Sequence, residues 1–504
     1  MLRSTFAGFT TAQHALAANQ RAIDVAGQNL SNQYTVGYTR QRLDLVSITP
    51  VGNSSTSSAQ DSKVGQGVMM TGISQVRDPF LDVQYRNQIT KVGTADAMDE
   101  ILAQVGAIFD ETDSTAIRAA LNDVVSQMNN VASTANTGES SDDLIRSSFE
   151  VLLNLVYQNG TQIETVRGDI ESEIEDSFIP GANQILDKIT QLNKSIKNSQ
   201  VLGNPALELQ DERNLLLDDL ATYFPIEVKY SDIGFGVDSL EVSLKGSDGS
   251  KHVLISDGEK GNMLFGKTVN GNATLTFESI DGATSTNITD ILGEGVLKAN
   301  YDMLNKAEVF DGTDVKGVGY YEGMFNSFVH TMATTMNKLN GDGKPLFSTL
   351  DGSDQFTATN IKVSDEWKTG KVSITKTLDP DLSTGNENIL RMINALTKDE
   401  IEFEHTREDG SKVKIFQGTI QELYDGIQNT QAIERSSSSS ILSNRLSVLN
   451  QIADSRDAVS AVNQDEEVMD LMQHQQSYNA ASRLMTTLDE LLDKLINGTG
   501  VVGR

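Results

Sequence analysis

The sequence predicts a mainly α-helical, multidomain α+β chain in which coaxial terminal helices enclose inserted helical and β-rich segments. Three observations carry this: apolar residues every seven positions at both ends, long helical runs between them, and short turn-punctuated apolar runs after Pro225. At 504 residues the chain exceeds what one core organises, so about three domains are expected.

Leu2, Phe9, Leu16, Ile23 and Leu30 mark one stripe of a long amino-terminal helix. Ala12 and Ala26 between them are small enough for a second helix to approach closely, while Gln13, Asn19 and Gln20 make the other faces too polar for a globular core. The carboxyl end repeats the pattern in Leu471, Tyr478, Met485 and Leu492, with Ala481, Leu488 and Leu495 between them and Asn497-Gly498 as a stop. An exposed apolar stripe costs free energy in water, so the two ends are expected to pair with each other as a coiled coil.

Between Tyr34 and Gln84 the small and polar residues predict an extended segment with a flexible turn over 51–58. Helices are expected from near Pro79, over 95–135, 141–200 and 206–221, broken at Gly138, at Pro180 and over 203–205. Ile185, Ile189, Leu192 and Ile196 form a buried helical face. Short strands are expected over 226–230, 239–244, 253–256 and 273–277, then a helix over 320–339, a strand-like stretch over 356–375 and helix from Ile420 onward. This order predicts nested insertion. A terminal coiled-coil domain takes 1–40 and 462–504, a helical middle domain 41–224 with about 295–345 and 421–461, and a β-rich outer domain about 225–294 with 346–420.

With 70 Asp+Glu against 40 Lys+Arg the formal charge is -30, which argues against a nucleic-acid partner or an anionic membrane surface and for protein partners. Cysteine is absent, excluding disulfides, a thiolate nucleophile and Cys-based zinc sites. Gln13, His14, Asn19, Gln20 and Arg21 interrupt the apolar core that a secretory signal needs, and no run reaches the roughly 18 apolar residues of a spanning helix, so a soluble chain is expected.

Chemical motifs are sparse. Gly261 to Thr268 matches the phosphate-loop spacing, with Lys267 and Thr268 as the candidate nucleotide ligands. A working loop precedes a helix, whereas Val269-Asn270-Gly271-Asn272 here predicts a turn into a strand, and Met263, Leu264 and Phe265 fit one strand of a hairpin. His14, His252, His330, His405 and His474 have no paired helical spacing, so no metal or cofactor is expected, although His14 and His474 lie on the helices expected to pair. Asp311 to Asp314 and Asn340 to Gly343 lack a complete calcium-loop pattern and are expected turns. Asp218-Asp219 and Asp465 to Glu467 are expected to be solvated or to cap helices rather than to catalyse.

Gly27-Gln28-Asn29-Leu30-Ser31-Asn32 followed by Gly37-Tyr38-Thr39-Arg40-Gln41 resembles the signature of flagellar rod, hook and hook-associated axial proteins, with Asn29, Asn32, Gly37, Tyr38 and Arg40 as its motif residues. Gly65 to Val68, Arg77-Asp78-Pro79-Phe80-Leu81, Gln84-Tyr85-Arg86, Gly203-Asn204-Pro205, Asp211 to Asn214, Leu215 to Leu220, Val462 to Glu467 and Gln475 to Ala480 are similar to further blocks of the hook-associated branch. The resemblance implies a non-enzymatic junction adaptor with no cofactor. It implies as partners hook protein, hook-associated protein 3, copies of itself in a ring and a flagellar export chaperone. It further implies type III export and an extracellular location in the flagellum. The assembly interface would then be Leu2, Phe9, Leu16, Ile23, Leu30, Leu471, Tyr478, Met485, Leu488, Leu492 and Leu495. Other readings are a hook or rod subunit, which generally lacks the helical middle, and a nucleotide hydrolase.

Overall fold

The computed structural model describes residues 5–48, 67–109, 117–133, 139–232, 234, 237–256, 259–269, 272–279, 285–305, 316–377, 385–406 and 412–498. Leu2, the turn at 51–58, Gly65, Gln66, Gly138 and 311–314, all singled out in the sequence, lie outside them.

Helix α1 (Thr5–Ser31) leads into the antiparallel hairpin of β1 (Gln41–Ser47) and β2 (Val68–Gln75), and then come α2 (Pro79–Phe109), α3 (Ile117–Ser133) and α4 (Glu139–Glu173). A π turn over Ile174–Phe178 joins α4 to α5 (Ile179–Val201), and α6 (Leu207–Tyr223) is next. Pro180, expected to break the helix, sits in the first turn of α5 immediately after this wider turn. The π turn re-registers the backbone where Pro180 supplies no N–H, so the helical path continues. Helix expected over 95–135 is instead the end of α2 and all of α3. The expected stop after Leu202 is present: Gly203 takes φ +85° and Ala206 φ 53°, and the Asn204 side chain accepts the Ala206 N–H at 3.0 Å.

After α6 come β3 (Ile226–Asp232), β4 (Asp238–Lys245), β5 (Lys251–Ser256) and β6 (Glu259–Lys260), one antiparallel sheet in that order. A second sheet contains β7 (Asn262–Val269), β8 (Asn272–Ser279) and β9 (Ser285–Asn287). Helices α7 (Val296–Asn305) and α8 (Val318–Asn340) return to the body. The pair β10 (Phe347–Thr349) and β11 (Ile361–Val363), short α9 (Asp365–Lys368), α10 (Glu387–Thr397) and the hairpin β12 (Ile401–Thr406) and β13 (Lys412–Gly418) complete the insertions. Long α11 (Ile420–Ser460) and α12 (Gln464–Asn497) end the fold. The expected mainly helical α+β class is therefore the observed one. Among the described residues no helix is long and apolar enough to cross a membrane.

Helix α8 is buried nearly all round and forms the hub of the body. Its Phe325 meets Phe109 of α2 edge-on at 5.8 Å, and its Phe328 meets Tyr424 of α11 at 5.5 Å. Thr419 and Glu422 cap α11 reciprocally, with Thr419 N–H donating to Glu422 at 2.8 Å and Glu422 N–H donating to Thr419 at 3.1 Å.

The phosphate-loop match is a strand. Lys267 pairs with Thr274 and Thr268 with Ala273 across β7 and β8, so no helix N-terminus comes after them. Gly266 is explained by packing, because a Cβ there would lie 2.5 Å from Ile179 Cδ1. The Asn183 amide brackets the buried Leu264 backbone, donating to its carbonyl at 2.9 Å and accepting its N–H at 3.0 Å. Asn340 to Gly343 is a turn, with Gly341 at φ 103° and the Asn340 amide donating to Lys344 O at 2.8 Å.

Asn183→Ala leaves both Leu264 backbone groups without their partner, and an expected loss of about 1–3 kcal/mol should appear in urea titration followed by circular dichroism.

Candidate functional site

Sequence blocks dispersed along the chain converge where the α1–α12 pair joins the body. Helix α1 ends at Ser31, and the chain turns through Gly37 at φ +80°, a left-handed conformation that a side chain would strain. Buried Asn29 acts as a substitute strand for the start of β1. It donates to Gln41 O and accepts from Gln41 N–H, both at 2.9 Å, and the same Oδ1 accepts the Tyr38 hydroxyl at 2.9 Å. Burial, then Asp211, Glu208 and Glu467 in turn, push the Tyr38 phenol up, so it remains a donor. Asn32 stays in the turn, donating to Gln28 O at 3.0 Å and accepting from Thr35 at 3.2 Å.

The next two residues reach two different elements. Thr39 binds α6, its N–H and hydroxyl donating to the two oxygens of Asp211 at 3.1 and 2.6 Å. Burial raises the Asp211 pKa, opposed by Thr39 and by Arg77, whose Nη1 lies 3.9 Å away. Arg40 binds α12: its guanidinium contacts Glu467 at 2.7 Å, Glu466 at 3.2 Å and Asp470 at 3.6 Å. Burial disfavours its charge, but Glu467 and Glu466 outweigh that and raise its pKa. Its backbone is also fixed, since Arg40 N–H donates to Ser460 O and Val76 N–H donates to Arg40 O, both at 2.8 Å.

Three further arginines, Arg77, Arg86 and Arg456, close the joint. Arg77 forks onto Asp82 at 2.5 and 3.0 Å. Buried Asp218 is shared by Arg86 at 2.8 Å and Arg456 at 2.6 Å, and the Arg456 guanidinium lies 3.8 Å from the Tyr85 ring centroid. Asp218 and Glu467, expected to be solvated or capping residues, are both buried ion-pair partners. Asp465 does sit in the first turn of α12, its N–H capped by Asn463 at 3.0 Å. The one signal for these pairs in the sequence is complementary charge between blocks, with Arg40, Arg77 and Arg86 in one and Asp211, Asp218 and Glu467 in the others.

Above the joint, α1 and α12 pack along each other. Ala12, Ala18, Ala22, Val25, Ala26 and Ala481 are the buried apolar residues. Phe9, Leu16, Ile23 and Leu30 of α1 and Leu471, Tyr478, Met485, Leu488 and Leu492 of α12 are only half-buried, and Leu495 is 56% exposed. Gly8 lets Leu488 in closely: a Cβ there would lie 3.2 Å from it. His474 Nδ1 lies 3.3 Å from Asn19 Oδ1, so its polar neighbour on α1 is Asn19 rather than His14.

Other polar clefts are built differently. A groove of about 540 Å³ between α8 and the β12–β13 hairpin is lined by His330, Phe356, Lys412 and Glu404, the last two paired at 3.1 Å. Among the described residues no three His, Asp or Glu side chains converge as a metal site.

Residues 102–356, just over half of the chain, match the flagellar hook-associated protein FlgK helical domain. The chain belongs to the FlgK family. Residues 457–498 of this FlgK-family chain also match the flagellar basal body rod FlgEFG protein C-terminal region. The chain is 27% identical over 533 residues to flagellar hook-associated protein 1 of Bacillus subtilis (strain 168), with both proteins fully covered. It is 22% identical to the Salmonella typhimurium protein of the same name over 96% of this chain and 98% of that one. Its fold resembles the flagellar hook junction protein FlgK from Burkholderia pseudomallei with a TM-score of 0.56 and 13% identity, over 75% of this chain and all of that one. The FlgK-family joint lies where the matched segments meet, with Asp211 and Asp218 in the helical-domain match and Glu467 in the C-terminal one.

Asp218→Ala leaves Arg86, which is 5% exposed, without its carboxylate, and an expected cost of about 3–5 kcal/mol should appear in chemical denaturation. Arg42→Ala breaks an exposed pair with Asp44 and is expected to stay within about 0.5 kcal/mol in the same assay.

Proposed function

We propose that this chain is a structural subunit of the bacterial flagellum that forms the hook–filament junction, acting by geometry and without a catalytic step. The observation that carries the reading is the polar joint, which holds a two-helix arm whose apolar residues are only half covered by each other. Helix α12 also exposes Leu484, Leu491 and Ile496, and such a surface gains from a further helix. Neighbouring copies supply those helices in a ring, with hook protein on one axial side and hook-associated protein 3 on the other. Phe9, Leu16, Ile23, Leu30, Leu471, Tyr478, Met485, Leu488, Leu492 and Leu495 are the proposed contact residues, and Leu2 extends the stripe.

The same reading assigns 1–40 with 462–504 to the axial domain, the helical middle to the body and the two inserted β-rich segments to the outside. Before assembly the carboxyl-terminal helix is the natural ligand of an export chaperone, and the chain travels through the flagellar type III pathway to the extracellular axis. A hook- or rod-type reading rests on the terminal match alone, whereas the match over 102–356 favours the junction. The carboxylates that a hydrolytic reading would recruit at the joint are engaged by arginines.

Electron microscopy of a strain lacking this gene is expected to find intact hooks and shed filaments, and normal filaments would overturn the assignment. Leu488→Asp places a charge in the α1–α12 contact and is expected to abolish incorporation into flagella. Calorimetry of the purified chain with ATP or GTP is expected to register no binding; a saturable isotherm would revive the hydrolase reading.

A further inference from the structure

Helix α8 buries apolar residues over most of its surface, yet one stripe of it is polar and faces open space. Ser327, His330, Thr331, Thr334 and Lys338 recur at three- and four-residue spacing and line the groove of about 540 Å³ between α8 and the β12–β13 hairpin. Ser327 and Thr331 are only 5% and 9% exposed, and a buried hydroxyl costs free energy unless something bonds it. The volume falls within the roughly 300–1,000 Å³ of small-molecule sites.

The hydrogen-bonding capacity that the fold leaves over is mixed. Ser327 donates to Gly323 O at 2.8 Å and Thr334 to His330 O at 2.7 Å, so both hydroxyls present acceptor oxygens. Asn326 uses its oxygen to accept the Ala358 N–H at 2.8 Å and keeps its amide N–H groups as donors. His330 Nδ1 accepts the Phe356 N–H at 3.3 Å; burial and then Lys412 hold the ring's pKa down, so the neutral imidazole carries its proton on Nε2. The half-buried Phe356 ring lies 6.0 Å from the imidazole and adds an aromatic surface to the wall.

Charge narrows the class of ligand. Glu404 pairs with Lys412 at 3.1 Å and Glu402 with Lys414 at 2.7 Å, so both carboxylates are already engaged and a cation finds no open one. An anion would meet the carboxyl-terminal half of α8, whose negative dipole end Lys338 serves to offset. What remains suits a neutral molecule rich in hydroxyl groups. Each sugar hydroxyl both donates and accepts, and the C–H face of a sugar ring packs on the negative face of an aromatic ring.

We propose that this groove binds a neutral saccharide one or two rings long, with Phe356 packing on a sugar ring and Asn326, His330, Thr331 and Thr335 bonding its hydroxyls. No residue of α1 or α12 lines the groove, so the proposal goes beyond the junction reading and does not depend on it.

Saturation-transfer NMR of the full chain with maltose, lactose and diacetylchitobiose is expected to give saturable binding of at least one of them, and none of glucuronate or glucose 6-phosphate at the same concentration. Phe356→Ala keeps the backbone N–H that His330 accepts and is expected to weaken that binding about tenfold. Thr335→Val removes one half-buried hydroxyl and is expected to weaken it about fivefold. Both variants should keep the wild-type circular dichroism spectrum. Binding of none of the disaccharides overturns the proposal. So does equal binding of the charged sugars, or disaccharide binding that both variants leave unchanged.

Discussion

The orientation of the terminal helix pair depends on how residues 29–41 divide their bonds between two elements distant in sequence. Thr39 is tied to Asp211 and Arg40 to Glu467, so adjacent residues anchor one short segment to α6 and to α12. Asn29 fixes the same segment to α1 through the Gln41 backbone. The angle between the terminal pair and the body is thus set by directional bonds. A purely apolar contact does not do this, because burial is nearly non-directional while charge-assisted hydrogen bonds are not.

The α1–α12 contact explains why such bonds are needed. Its buried residues are mainly alanines, which allow close approach but remove little apolar area each. Two long helices joined by a thin seam slide and rotate at small cost. The joint removes that freedom at its lower end, and Leu488 against Gly8 provides a contact further along the pair. The body has a different character: Phe325, Phe328, Tyr424 and Phe109 lock through large aromatic contacts.

Much of this architecture is legible in the sequence. The stripes at both ends, the alanines between them, the helix over 320–339 and the strand character of Met263 to Phe265 all come from periodicity and turn chemistry. Periodicity also misses two local elements, helices α7 and α10, and the other features it misses are tertiary. Heptad counting selects large residues such as Leu16 and Ile23, while close packing buries Ala18 and Ala22. Pro180 reads as a stop because a single-residue rule does not anticipate a π turn before it. Asp218 and Glu467 read as solvated because a carboxylate on a polar helix is judged from its own neighbours, and their arginine partners are 132 and 427 positions away. The motif blocks are visible as blocks, but nothing in one dimension places Thr39 against Asp211.

The contrast between body and arm bears on assembly. A buried ion pair adds little net stability over an apolar pair, because desolvation offsets attraction; its effect is to penalise every arrangement in which the partners are apart. At the joint this means the arm is oriented more strongly than it is stabilised. Half-covered leucines on both helices then leave apolar surface that the pair itself does not cover. The proposed assembly uses that division: a body that folds by its own core, and an arm already aimed before docking, so that less orientational freedom has to be lost when a partner binds.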